Sequence, residues 1–280
     1  WSATLTSVQS GSWKNPATWG GTVPAGGDII TVAPGHTVTY DVTTPSPVFN
    51  SVTVRGVLRW VPYATLGPST PTPSRPSIEM RVGTLLIPAG GRMTIMGSGT
   101  LPSWPAQAKA TIVLTDVGQA GSPVLLVSGG TLELRGSRVG VSWTKLAANS
   151  AAGMQSLSVQ GSVADWPIGA RVVITGTGYV QRNAPCGGSF ADYGADNISC
   201  SNPLTYTSED AAVASVGPAG LTLASPLLFS HDGAVAPYQG EVALLSRNIV
   251  VTSDPTGRRG HVKIEKGGTA QLHWTEFRRL

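Results

Sequence analysis

The strongest constraint on this chain is a recurring unit of two short apolar strands turned about a glycine corner. It is clearest across residues 121–175. There, apolar and polar residues alternate through Val124, Leu126, Leu132 and Leu134, with Gly129-Gly130 supplying a tight turn between the runs. The second half repeats the device with Leu157 and Val159, then Trp166-Pro167-Ile168-Gly169, then Val172, Val173 and Ile174. The same grammar occurs upstream. Asp28 to Val32 and Thr37 to Asp41 flank Pro34-Gly35-His36, and Val52, Val54 and Leu58 alternate around Gly56. Ile78, Met80, Val82, Leu85 and Ile87 precede Pro88-Ala89-Gly90-Gly91, which echoes Pro24-Ala25-Gly26-Gly27.

Composition supports this reading. Glycine (35) and proline (21) are abundant and only 12% of residues are charged, which favours many short strands and turns over helices. The units are unevenly spaced, so the chain is no regular repeat array. They suit a right-handed parallel β-helix whose coils stack about 4.8 Å apart, with irregular loops leaving at the corners. A β-sandwich is the alternative, because alternation alone does not separate the two.

Several motifs in register carry a family resemblance. SGSWKNPATWGG, GGTLELRG followed by SWTKL, DWPIGARVVITGTGY and EVALLSRNIVV together resemble the eight-glycine domain family of extracellular proteins, from about Trp13 to the last residue. That family includes the cell-migration-inducing and transmembrane hyaluronidases and fibrocystin. The resemblance implies an all-β, β-helical fold and an association with polysaccharide. In the hyaluronidases, a strand like Trp274 to Phe277 leads into further coils that hold the histidine-rich stretch linked to catalysis. Residues 1–280 are therefore expected to form a single domain of this type, the N-terminal part of a longer architecture. It carries a proline-rich excursion at 61–77 and a loop at 181–208.

Cys186 and Cys200, the two cysteines, fall in that loop. A disulfide closing about 15 residues is worth roughly 3 kcal/mol in the chain-entropy model and implies an oxidising compartment. Zinc is the rival, and it needs two more ligands. Asp192, Asp196 and Asn197 supply oxygens on which calcium could draw, without the spacing of an EF-hand. Calcium is the one cofactor that the resemblance brings in. No apolar run approaches the ~20 residues of a membrane span. The chain opens at Trp1 without a charged, apolar leader, as expected where a secretion signal has been removed. Secretion or display at the cell surface is the consistent expectation.

Candidate binding residues are aromatic or basic. Trp13 and Trp19, six apart among turn formers, either cap an open end of the stack or stack on sugar rings. The net charge of +4 is mild, and its dense cluster is Arg258, Arg259, Lys263, Lys266, Arg278 and Arg279. These residues either deter edge aggregation or bind a polyanion. Nucleic acid is not expected, because no basic groove with interleaved aromatics accompanies them. For catalysis, His231, Asp232 and Glu241 are the weak candidates, each with a turn or structural role as the simpler reading. Three functions follow. The first is a non-catalytic, polysaccharide-associated extracellular module. The second is a glycoside hydrolase, or a fragment of one, acting on hyaluronan-like polysaccharide. The third is a structural or adhesive surface protein whose open end takes a downstream domain, a partner chain or a second copy.

Overall fold

The computed structural model describes residues 2–61, 77–97, 104–105, 108–177 and 207–280. Both the proline-rich excursion and the cysteine loop lie largely outside these, and Cys186, Cys200, Asp192, Asp196 and Asn197 do so entirely. The fold is all-β, with one short 3-10 turn. The chain divides into two compact units, residues 1–138 with 247–280, and residues 139–246.

The first unit is a stack of parallel coils. Each coil contributes one strand to each of two sheets, joined at a glycine corner. The strand pairs are β1 (Thr4–Thr6) with β2 (Gly11–Ser12), β3 (Ile29–Val32) with β4 (Thr37–Tyr40), and β5 (Val48–Val54) with β6 (Val57–Trp60). They continue with β7 (Ile78–Pro88) and β8 (Arg92–Ile95), and later with β10 (Val124–Ser128) and β11 (Thr131–Arg135). The last pair is β19 (His261–Ile264) with β20 (Thr269–His273). The second members of these pairs form one parallel sheet, the second-strand sheet, in the order β2-β4-β6-β8-β11-β20. In the other sheet the long β7 pairs with β5 on one side and with two strands on the other. Its second half meets β10, and its first half meets β9 (Ala110–Leu114), which is followed by β18 (Ile249–Ser253) and β21 (Thr275–Arg278). Parallel ladders of this kind exclude the sandwich for this unit, since a sandwich is built from antiparallel strands.

The corners explain the glycines. Gly129 holds φ = 83°, a left-handed conformation that costs a side-chain-bearing residue. Gly130 packs so tightly on the coil below that a Cβ there would lie 2.5 Å from the Pro88 carbonyl oxygen. Between the corners, period-two alternation sends one set of side chains inward. Val32, Val54, Ile87 and Val127 stack as one fully buried column, and Tyr40, Trp60, Ile95 and Leu134 as another. The alternation read from sequence was out of phase in β10. Leu125 and Val127 point into the core, while Val124 and Leu126 lie outside it, half-buried. A run of four consecutive apolar residues cannot by itself say which pair faces inward.

One end of the stack is closed by aromatics. Asn15 caps the 3-10 turn Pro16–Trp19, and the Trp19 indole N–H donates to the Trp13 carbonyl at 2.8 Å. Trp13 lies 5.0 Å from Trp19, 4.8 Å from Tyr40 and 5.4 Å from Phe49, ring centre to ring centre, and is 1% exposed. Trp13 and Trp19 therefore cap. Their placement as sugar-stacking residues is corrected, because neither ring offers a face to solvent. The other end differs. Ile264, Leu272 and Phe277 sit in register over the fully buried Val127, Leu134 and Val251, yet are 40%, 42% and 39% exposed.

The second unit departs from the expected coil. Its strands are β12 (Trp143–Lys145), β13 (Ser156–Ser158), β14 (Arg171–Ile174), β15 (Glu209–Gly217), β16 (Gly220–Leu223) and β17 (Glu241–Leu244). They form one sheet in the order β12-β17-β14-β15-β16-β13, with every pairing antiparallel. Leu157 thus faces Leu221, and Val172 faces Ala211 and Leu244, where a parallel repeat was expected. The tight turn between Gly217 and Gly220 accounts for the β15–β16 pair, since so short a connection joins only antiparallel strands. Trp166 anchors this core, 2% exposed, with its indole N–H donating to the Val141 carbonyl at 2.8 Å.

Candidate functional site

The second-strand sheet of the first unit points Leu58, Trp60, Met93, Ile95, Leu132 and Leu134 into the core. Alternation therefore turns Arg59 on β6, Arg92 and Thr94 on β8, and Thr131, Glu133 and Arg135 on β11 to the opposite face. Register aligns Arg59, Thr94, Glu133 and Gln271 across four adjacent strands, and puts His273 beside Arg135. Glu133 is the centre of this face. Arg92 Nη2 donates to its Oε2 at 2.7 Å, and Arg135 Nε to its Oε1 at 2.5 Å. Arg135 also donates through Nη2 to Gln271 Oε1 at 3.0 Å.

The electrostatics are lopsided. Burial alone would raise the Glu133 carboxyl, but the hydrogen bonds from Arg92 and Arg135 outweigh it and hold the group below its ordinary value. Glu133 is thus an ionised carboxylate shared by two guanidinium groups, with a side chain only 7% exposed. The Arg92 side chain remains 54% exposed and that of Arg135 35%. Arg59 makes no ion pair among the described residues. The arginines outnumber the carboxylate on this face, and guanidinium is the side chain best shaped for oxyanions.

The basic cluster singled out from the sequence is arranged differently. Arg258 grips Asp116 with two nitrogens, Nε to Oδ2 at 2.7 Å and Nη2 to Oδ1 at 3.0 Å, and donates to the Gln119 carbonyl at 2.7 Å. These bonds hold Asp116 well below the usual carboxylate range. Lys263 pairs with Glu265 at 2.9 Å, while Arg259 is exposed. Three of the six cations in this cluster, Arg258, Lys263 and Arg278, are therefore already matched by carboxylates.

The catalytic candidates separate. His231 is 1% exposed; its Nε2 lies 2.8 Å from Glu209 Oε1 and its Nδ1 2.9 Å from the Thr175 carbonyl. Glu209 also accepts the backbone N–H groups of Leu228 and Phe229. Burial raises its carboxyl, and the hydrogen bonds from His231 and these amides bring it below its ordinary value. Both ring nitrogens thus face acceptors, and the ring fastens a loop to the end of β14 and to β15. Asp232 points to solvent, its N–H bonded to Thr177 Oγ1, and Glu241 is exposed on β17 opposite Lys145. His231 and Asp232 form no dyad, since these adjacent residues face opposite ways. Among the described residues no cluster of three or more His, Cys, Asp or Glu gathers as a metal site.

Comparison with known proteins bears on the coil just described. Residues 18–147 match the model of the G8 domain, from the capping turn through the corners of β3 to β11. The chain carries a G8 domain. Over 250 residues, 86% of this chain, it is 30% identical to human fibrocystin-L, and over 261 residues, 88%, it is 32% identical to mouse fibrocystin. Protein rliB of Dictyostelium discoideum is 25% identical over 268 residues. The chain spans 5% of the length of each of those two fibrocystins and 21% of rliB. These relatives tie the G8 chain to the fibrocystins; they lend nothing to the hyaluronidase side of the resemblance. No helix among the described residues is long and apolar enough to cross a membrane.

Proposed function

We propose that this chain is an extracellular, non-catalytic G8 module that associates with polysaccharide and serves as one part of a longer, β-helical architecture. The observation that carries the reading is the outward face of the second-strand sheet. It is a regular parallel surface bearing arginine, threonine and glutamine side chains in register, with the half-buried Val57 among them. The hydrolase reading is weaker, because His231 spends both ring nitrogens on internal acceptors. In this proposal residues 1–280 act as one module into which the antiparallel unit is inserted, and Cys186 and Cys200 form a disulfide in an oxidising compartment. The test is retention of the chain on immobilised polysaccharides, with bare matrix as reference. Retention on at least one glycan is expected, and elution with the bare-matrix control on all of them would refute it.

A structural role is the second reading, favoured by Ile264, Leu272 and Phe277 at the uncovered end of the core columns. Strands added there would continue the ladders of β19, β20 and β21.

A further inference from the structure

Resting on the polysaccharide reading, we infer that the ligand is acidic, with carboxylate or sulfate groups, and that it lies across the coils of the second-strand sheet on Arg59, Arg92 and Arg135. The three arginines stand on β6, β8 and β11, which are consecutive strands of that sheet. Adjacent strands are ~4.8 Å apart. Arg92 stands two residues before the row of Arg59, Thr94 and Glu133, and Arg135 two after it, but both side chains reach in to Glu133, so a polymer running perpendicular to the strands along that row passes all three guanidinium groups. A polymer running along a single strand would meet only one.

The geometry also assigns a role to Glu133. Its two oxygens fix Arg92 from one side and Arg135 from the other, so both guanidinium planes are oriented before any ligand arrives. Pre-ordering removes part of the side-chain entropy that two free arginines would lose on binding. Glu133 is nearly covered and doubly bonded, so it does not present a free charge that would repel an anion. Gln271 steadies the other edge of Arg135. Arg59 lies in register with Thr94 and Glu133 and is the cation free of an ion pair among the described residues. By contrast, Arg258 is spent on Asp116 and Lys263 on Glu265, so the cluster most conspicuous in the sequence is the poorer anion site.

The experiment is a binding titration of the full chain at ~0.1 M salt with chondroitin sulfate, hyaluronan, neutral dextran and single-stranded DNA. The variants are R59Q, the double variant R59Q/R92Q, and R259Q/K263Q. Hydrogen bonds to charged groups imply a loss of about tenfold in affinity per arginine. R59Q breaks no described ion pair, so its folding is not at issue, and circular dichroism checks the double variant. The expected result is binding to at least one acidic glycan, none to dextran, weakening by added salt, successive losses in R59Q and R59Q/R92Q, and little change in R259Q/K263Q. Undiminished binding by folded R59Q/R92Q, with loss in R259Q/K263Q, would overturn the site while leaving the polysaccharide reading in place. Equal binding of dextran would overturn the acidic class alone. Tighter binding of DNA through the same arginines would overturn the glycan, and binding to none of the polymers would overturn both this inference and the reading beneath it.

Discussion

Replacing Gly130 with alanine tests the corner that the fold is built on. An added Cβ would lie 2.5 Å from the Pro88 carbonyl oxygen and 2.7 Å from that of Ile87, both backbone atoms of the coil beneath. Ordinary contact is ~3.5 Å, so the two coils must part locally by about 1 Å. The hydrogen bonds nearest the strain are Thr131 N–H to the Gly91 carbonyl and Thr269 N–H to the Gly130 carbonyl, each 2.9 Å. Weakening both, at ~1 kcal/mol each, plus an overpacking cost of ~1–2 kcal/mol, gives a loss of about 3 kcal/mol. For a chain of this size that lowers Tm by roughly 5 °C. The control is Gly90→Ala, where φ is 80° but a Cβ meets nothing within 4 Å, so only the ~1–2 kcal/mol of left-handed backbone strain is expected. Calorimetry of the three proteins decides the matter. If G130A melts at or above G90A, close stacking of the corners is not what demands glycine there.

Other consequences are equally open to measurement. Trp13→Ala removes the ring on which Trp19, Tyr40 and Phe49 converge and should cost ~3–5 kcal/mol in denaturant unfolding; a loss below 1 kcal/mol would contradict its capping role. Glu133 and Glu209 both sit below the ordinary 4.5, so the stability they add is fully present above that pH and is lost as pH falls through their lowered folded values. E133Q and E209Q should therefore each be less stable than the parent at pH 7 and lose less on acidification, and parallel pH curves would refute this. Phe277→Asp at the uncovered end should change Tm little and should abolish any concentration-dependent assembly seen by light scattering; assembly that persists would exclude that end as the contact.

Much of the coil was legible because its causes are local. Strands β3 to β8 follow from alternation around Gly35, Gly56 and Gly90-Gly91, and the strand at Ile249 to Val251 follows from its β-branched run. What was not legible depended on which strand pairs with which. Leu157 and Val172 have the same local pattern as Leu132, yet one set pairs antiparallel and the other parallel, a difference set by connections distant in sequence. Trp13 and Trp19 read first as a cap, with a sugar platform as the rival, until the packing of Tyr40 and Phe49 settled the choice. Arg59, Arg92 and Arg135 escaped notice because they are dispersed along the chain and meet only through the stacking of β6, β8 and β11. Arg258 and Lys263 stood out for the opposite reason, being close in sequence, though carboxylates from Asp116 and Glu265 already hold them. The alternation in TLELR puts Glu133 and Arg135 on one outward face, but their register with Arg92 is absent from the local sequence.

The most direct test of a non-catalytic, polysaccharide-associated module is gel filtration of the purified chain after long incubation with chondroitin sulfate and hyaluronan, following protein and polymer size together. The account predicts that the protein shifts to co-elute with an acidic polymer whose length is unchanged. Shortening of the polymer would contradict the absence of catalysis, and protein eluting at its own position with every polymer would contradict the association itself.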